Sequence, residues 1–220
     1  MISSRVGVLI FAAGYSRRFG ESDKRHAKLA NGRSLLATSV ARAQQAFASV
    51  RVVIREDDDA DLFELPGNVS VIRVSQAHFG LGASLSEAMA ILIQGHELQE
   101  IDAVAIALGD MPCIHQNTLL TLQGLATQNT IVRPCFEGRK GHPVIFGREM
   151  WPALQSLRGG LGAKAVIQQF RSQYQECHVQ DAGILFDVDV PADIRHANNL
   201  QALFQISPGN RAEIKFLILS

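Results

Sequence analysis

Short apolar runs alternate with segments whose hydrophobic residues fall three and four apart, and this alternation most limits the folds open to the chain. Runs at 6–11, 50–54, 69–74, 103–108, 130–133, 143–146 and 184–188 read as strands. The stretches 35–47, 83–93, 116–126, 163–170 and 194–204 carry the helical period. Leu85, Ala88, Met89 and Leu92 share one helical face, which marks that face for packing. Strands and helices in turn build βαβ units, so the expected class is α/β with a largely parallel sheet. With 220 residues and 47% hydrophobic content the chain can bury one substantial core, and a single domain is expected.

Charge and cysteine usage exclude several classes. Twenty-one basic residues face 21 acidic ones, so no global field points to nucleic acid or to a membrane, and any anion site must be local. Cys113, Cys135 and Cys177 lack C-x-x-C spacing, which argues against a disulfide framework and a structural zinc site and for a reducing compartment. Residues 1–5 are too short for a charged leader, and 6–11 too short for a membrane span. A cytoplasmic location is expected.

Directly after the first apolar run comes Ala12-Ala13-Gly14-Tyr15-Ser16-Arg17-Arg18-Phe19-Gly20. Small side chains at Ala12, Ala13 and Gly14 let main-chain N–H groups approach an anion, and Ser16, Arg17 and Arg18 add a hydroxyl and charge. The turn lacks the Gly-Lys-Ser/Thr of a Walker loop and the spacing of a dinucleotide fingerprint. A triphosphate is the natural guest, although an ordinary strand-to-helix turn with solvated arginines has the same composition.

Open α/β sheets bind ligands beyond the carboxyl ends of their strands. The run 103–108 ends in Gly109-Asp110-Met111-Pro112, which releases one carboxylate at a strand tip and suits Mg²⁺, a cation held by one or two carboxylates plus water and phosphate. Asp187 lies near the end of the run 184–188 and Asp189 directly after it, and period-two alternation puts both on one face, where at least one can share a metal with Asp110. Asp193 reads as a helix-start residue. Gly82 and Ser84 stand at a glycine-flanked helix entry that can receive a base edge, a ribose or a phosphate, or in which Ser84 simply caps the helix. Arg139 and Lys140 form a flexible basic loop suited to clamping a bulky acidic substrate; His142 beside them is either a ligand contact or a core histidine. Lys24 and Lys28 follow the first loop closely enough to neutralise charge building on an α-phosphate. The acidic stretch 56–61 reads as a solvated helix start.

In this order the motifs resemble the MobA/MocA-like nucleotidyltransferase family, and within it the molybdenum cofactor cytidylyltransferase branch. The resemblance rests on Ala12 to Gly20 with Lys24, then Gly82-Ala83-Ser84-Leu85, Gly109-Asp110-Met111-Pro112, Gly141-His142-Pro143-Val144, Gly160-Leu161-Gly162-Ala163 and Asp187-Val188-Asp189-Val190-Pro191. It spans 5–204; the tail 205–220, set off by Pro208-Gly209-Asn210 and ending in Phe216-Leu217-Ile218-Leu219, has no counterpart and suits an edge strand or a dimer contact. The resemblance implies one Rossmann-like, nucleotide-diphospho-sugar transferase (GT-A-like) domain, a three-layer sandwich around a mostly parallel mixed sheet. It further implies Mg²⁺-dependent transfer of a nucleoside monophosphate from an NTP to a phosphate acceptor, with release of pyrophosphate. In that scheme the first loop and Arg18 hold the triphosphate, Lys24 stabilises the transition state, and Asp110 with Asp187 or Asp189 holds the metal; the clamp of Arg139, Lys140 and His142, read from the residues themselves, is where the acceptor is expected. The Ala-Ala-Gly loop implies CTP, and the branch implies molybdopterin as acceptor, giving a cytosine dinucleotide for enzymes of the xanthine-oxidase type.

Two features depart from the family pattern. Two lysines are available, and counting back from Gly32 and Leu35 places Lys24 at the catalytic position with Lys28 in reserve. Val190 replaces a usual threonine and removes a hydroxyl. Besides a related NTP transferase with another phosphorylated acceptor, the rival readings are a sugar transferase using Asp187-Val188-Asp189 as its D-x-D motif, and an accessory protein that binds and delivers a cofactor without chemistry. The D-x-D motif lies too near the carboxyl end for the sugar transferase, and the presence of Lys24 and Asp110 speaks against the accessory protein.

Overall fold

The computed structural model describes residues 5–16, 18–20, 22–95, 100–158 and 161–203. Strand β1 (Val6–Phe11) is buried along its whole length, with Val6, Val8 and Ile10 in one hydrophobic cluster and Leu9 and Phe11 in another. Successive side chains of a strand point to opposite faces, so an unbroken apolar run is what a strand covered on both sides requires. Helices α1 (Leu35–Gln44) and α3 (Gln116–Leu125) cover the first face through Leu36, Val40, Leu119 and Leu122. Helices α2 (Leu81–Gln94), α4 (Trp151–Gln155) and α5 (Ala163–Gln169) cover the second through Leu85, Met89, Leu154 and Val166. The arrangement is the three-layer α/β sandwich expected.

The remaining strands are β2 (Ser49–Arg55), β3 (Ser70–Val74), β4 (Ala103–Leu108), β5 (Ile131–Phe136), β6 (Arg139–Lys140), β7 (Val144–Gly147) and β8 (Tyr174–His178). Among the described residues these eight form one sheet in the order β3-β2-β1-β4-β7-β5-β6, with β8 beside β5. The first four neighbours are parallel, and β7 runs antiparallel between β4 and β5. Phe11 pairs with Leu108, so the loops leaving β1 and β4 open side by side at one sheet edge. Over that edge lies α6 (Asp193–Leu203), where Val188, Ala197 and Leu200 pack with Phe19 and Leu29 of the segment after β1. That third cluster is what folds the two ends of the site together. No helix among the described residues is long and apolar enough to cross a membrane.

The structure corrects the sequence reading in four places. The run 184–188 is not a strand: Ala182–Leu185 is a 3-10 turn, and its apolar residues are buried as a turn, Ile184 against the α1 and α3 face and Val188 under α6. Strand β8 escaped because it hydrogen-bonds to β5 while burying only Cys177, so its sequence shows no apolar period. Arg139 and Lys140, expected in a flexible loop, form the short strand β6 in a hairpin with β5. Helix α2 starts at Leu81, before Ser84, with Gly80 at its amino end and no side-chain cap; Ser84 is therefore not the capping residue. Gly82 is required in that first turn, since a Cβ there would lie 2.1 Å from the Leu161 carbonyl oxygen. The tail 205–220 lies outside the described residues.

Candidate active site

The chain leaves β1 still paired, Ala12 N–H donating to the Val53 carbonyl at 2.8 Å, and then turns at Ser16, whose φ of 51° is left-handed. Phe19 N–H closes the turn on the Ser16 carbonyl at 2.8 Å, and its ring is buried in the α6 cluster. Asp23 then caps a single 3-10 turn, Lys24–His26, by accepting from Arg25 N–H. One turn of helix with an anchored start fixes the direction of each of its three side chains. Lys24 points to the sheet edge, where its Nζ donates to Asp110 Oδ2 at 2.7 Å, the Val188 carbonyl at 3.0 Å and Asp189 Oδ1 at 3.3 Å.

Asp110 reaches that point because Gly109 lets the end of β4 pack closely; a Cβ there would lie 2.9 Å from Leu36 and 3.3 Å from the Ala12 methyl. The segment bearing Asp187 and Asp189 is tied to it by Val188 N–H donating to the Asp110 carbonyl at 2.9 Å. With Val188 buried between them, carboxylate oxygens of Asp110, Asp187 and Asp189 all lie within 4.8 Å of one another. The two late aspartates thus share a side, as alternation predicts, although no strand carries them. Asp193 stands in the first turn of α6, as expected of a helix-start residue, and its Oδ2 accepts from Asp189 N–H at 2.8 Å and Val190 N–H at 2.9 Å, which locks the turn behind Asp189.

Electrostatics follow from this geometry. Burial alone would lower Lys24, but the neighbouring Asp110 and Asp189 carboxylates outweigh it and raise its pKa, so the ammonium stays protonated. Burial raises the pKa of Asp187, and the adjacent Asp189 and Asp110 charges raise it further. Asp110 Oδ1 is buried without a hydrogen-bond partner. An orphaned carboxylate oxygen beside two further carboxylates is a hard-oxygen donor set of the kind that fits a small divalent cation.

Around this cluster opens a cleft of about 470 Å³ whose floor is Ala12, Ala13 and Gly14 and whose far wall is Gly80, Leu81 and Ser84. Ser16, Arg18, Lys24, Asp110 and Asp189 also line it. Ser16 Oγ is buried with no partner, and Arg18, three-quarters exposed, holds Asp189 Oδ2 at 2.7 Å. Arg17 lies outside the described residues. Lys28 stands apart, paired with Glu64 at 2.7 Å, both side chains more than half exposed.

The residues expected at the acceptor are divided. Lys140 is paired with Glu176 at 2.6 Å on the β6 and β8 side of the sheet, and neither it nor Arg139 lines the cleft. His142 is largely buried; burial foremost, then the Arg133 charge, lowers its pKa and favours the neutral ring, whose Nδ1 has no partner. Sequence reasoning missed the support beneath the loop. Buried Arg25 donates to the Ala12 carbonyl and to both oxygens of Asp58, and Arg55 donates to the Gly14 carbonyl and to Asp58. Asp58 is 5% exposed whereas its neighbour Asp57 is 84% exposed, so the stretch 56–61 is not uniformly solvated. Nothing in a run of like-charged residues marks which one turns inward.

Comparison with known proteins supplies the family. A family model described as the MobA-like NTP transferase domain matches residues 8–177. The bifunctional protein GlmU of Granulibacter bethesdensis is 31% identical over 140 residues, which cover 64% of this chain and 29% of that protein. The Rv0371c homologue from Mycobacterium sp. strain JC1 superposes with a TM-score of 0.75 at 27% identity, over 92% of this chain and all of that one. The manganese complex of Rv0371C from Mycobacterium tuberculosis H37Rv superposes with a TM-score of 0.71 at 21% identity, over 90% of this chain and 99% of that one.

Proposed function

Because this chain belongs to the MobA-like NTP transferase family, we propose that it transfers a nucleoside monophosphate from an NTP to a phosphorylated acceptor and releases pyrophosphate. The observation that carries the proposal is the placement of Lys24, protonated and bonded to Asp110 and Asp189, at the mouth of a cleft floored by a small-residue turn. The turn's N–H groups, Ser16 and Arg18 hold the triphosphate. An oxygen of the acceptor phosphate attacks the α-phosphorus, the bond to the bridging oxygen of the β-phosphate breaks, and the electron pair leaves with pyrophosphate. Because its ammonium is kept protonated, Lys24 acts by charge, steadying the α-phosphate oxygens as negative charge shifts onto them, and takes no proton. No covalent intermediate on the protein is needed. Asp110, Asp187 and Asp189 would hold Mg²⁺, which would supply positive charge to offset the phosphates; the manganese complex of the mycobacterial neighbour is in keeping with a divalent ion.

We assign CTP as donor and molybdopterin as acceptor, on the Ala-Ala-Gly loop and the Gly-His-Pro segment that mark the branch the chain resembles. The Ala12 and Ala13 methyls line the cleft while packing in the two core clusters, so the floor is rigid and the base edge must be read from the Gly80 to Ser84 wall. Pyrophosphate release should be measured with CTP, GTP, ATP and UTP, each with and without molybdopterin and Mg²⁺. Release is expected with CTP, molybdopterin and the metal together, and a purine crowded by about 1 to 3 kcal/mol should be slower by roughly tenfold to a hundredfold. Equal release from all four nucleotides would remove the CTP assignment. Release without molybdopterin would remove the acceptor.

A further inference from the structure

We infer that Arg25 and Asp58 are positioning residues that aim Lys24 by locking its turn to the phosphate-binding loop. The inference rests on the catalytic reading of Lys24 and adds two residues that act through it: Asp58, and Arg25, which borders the cleft only at its floor beside Ala12 and is otherwise buried. Lys24 and Arg25 are consecutive in one short 3-10 turn, so their side chains leave in different directions: Lys24 goes to the carboxylate cluster and Arg25 down into the protein. Arg25 is 6% exposed, and Nε, Nη1 and Nη2 of its guanidinium all donate. Nη1 donates to the Ala12 carbonyl at 2.8 Å and to Asp58 Oδ2 at 2.6 Å. Nη2 donates to Asp58 Oδ1 at 2.7 Å and to Asp23 Oδ2 at 2.5 Å, and Nε donates to Asp23 at 2.9 Å. The plane of the group lies over the Phe63 ring, 4.6 Å from its centroid, and His26 stacks on the same ring.

Asp58 joins this to the other end of the loop. It accepts from Arg55 N–H at 2.8 Å and Arg55 Nη2 at 2.7 Å, while Arg55 Nη1 donates to the Gly14 carbonyl at 3.1 Å and its guanidinium packs on the Tyr15 ring. One buried carboxylate therefore sets two arginines, each gripping one loop carbonyl, and the first of them is the chain neighbour of Lys24. A buried charge network of this kind is costly to assemble and only weakly stabilising against an apolar replacement, so its benefit lies in fixing geometry. Arginine's planar fork is needed, because an ammonium cannot reach Ala12, Asp58 and Asp23 at once.

The test is a double-mutant cycle read as kcat and KM. Arg25→Lys keeps the charge and should lower kcat by about tenfold to a hundredfold, the cost of misplacing a group by an ångström, with KM for the nucleotide within about threefold. In a Lys24→Ala background, Arg25→Lys should change kcat by less than about threefold, since nothing is left to aim. If Arg25→Lys does not yield folded protein, Asp58→Asn, which keeps the shape of the buried side chain, is measured in the same two backgrounds with the same expectation. An Arg25 or Asp58 effect that persists in full in the Lys24→Ala background, or that appears in KM alone, would overturn the inference and leave a structural role. If Lys24→Ala itself turns over normally, the catalytic reading of Lys24 fails instead, whatever Arg25 does.

Discussion

Asp110→Asn is expected to fold normally and to lose nearly all nucleotidyl transfer. The amide keeps the size of the side chain, and the backbone bond from Val188 to the Asp110 carbonyl is untouched, so the two halves of the site stay joined. Two things are lost together. The buried Oδ1 ceases to be a charged donor for a divalent cation, and Lys24 loses the nearest of its two carboxylate partners, at 2.7 Å. Removing one charge-placing group from a partly desolvated site costs roughly a hundredfold to a thousandfold in kcat, and the loss here should reach that range. Turnover followed across a magnesium titration checks it. A variant matching the parent at every magnesium concentration would remove Asp110 from the site.

Lys24→Ala is expected to lower kcat by roughly a hundredfold or more while nucleotide binding weakens less. Under the proposed mechanism the ammonium meets the α-phosphate mainly as charge moves during transfer, whereas in the resting protein it is already occupied by Asp110 and Asp189. The variant leaves those carboxylates uncompensated, so it should also bind a divalent cation at least as well as the parent, which separates loss of Lys24 from loss of the metal. Lys28→Ala, made beside it, should turn over within about threefold of the parent, because Lys28 spends its charge on Glu64 at the surface. Equal small losses in the two variants would sink the assignment. A large loss confined to Lys28→Ala would move the role there.

The legibility of the sequence divides along physical lines. Strand β1 and helices α1 and α2 could be read because burial on two faces or along one stripe imposes a period on the sequence. Strand β8 could not, since an edge strand held by backbone bonds and burying one cysteine leaves no such period. Asp110, Asp187 and Asp189 were legible as candidates because each interrupts or ends an apolar stretch, Ala103 to Leu108 before Asp110 and Ile184 to Val188 around Asp187 and before Asp189, leaving the carboxylate at the boundary. What joins them was not. The Val188 bond to Asp110, the Asp193 clasp on Asp189 and the Arg25, Asp58 and Arg55 network link residues far apart in sequence, and a side chain's partner leaves no mark on its own position. Arg139 and Lys140 show the converse: a basic pair between glycines reads as a loop clamp, yet the ladder with β5 and the Glu176 carboxylate occupy it.

The fate of labelled phosphorus tests the central claim most directly. Purified protein, Mg²⁺, molybdopterin and CTP labelled at either the α- or the γ-phosphorus should be incubated together and the products separated. Nucleotidyl transfer predicts that α-label moves into an acceptor-bound dinucleotide in step with the appearance of γ-label in pyrophosphate. Recovery of γ-label on the acceptor, or of inorganic phosphate in place of pyrophosphate, would contradict it.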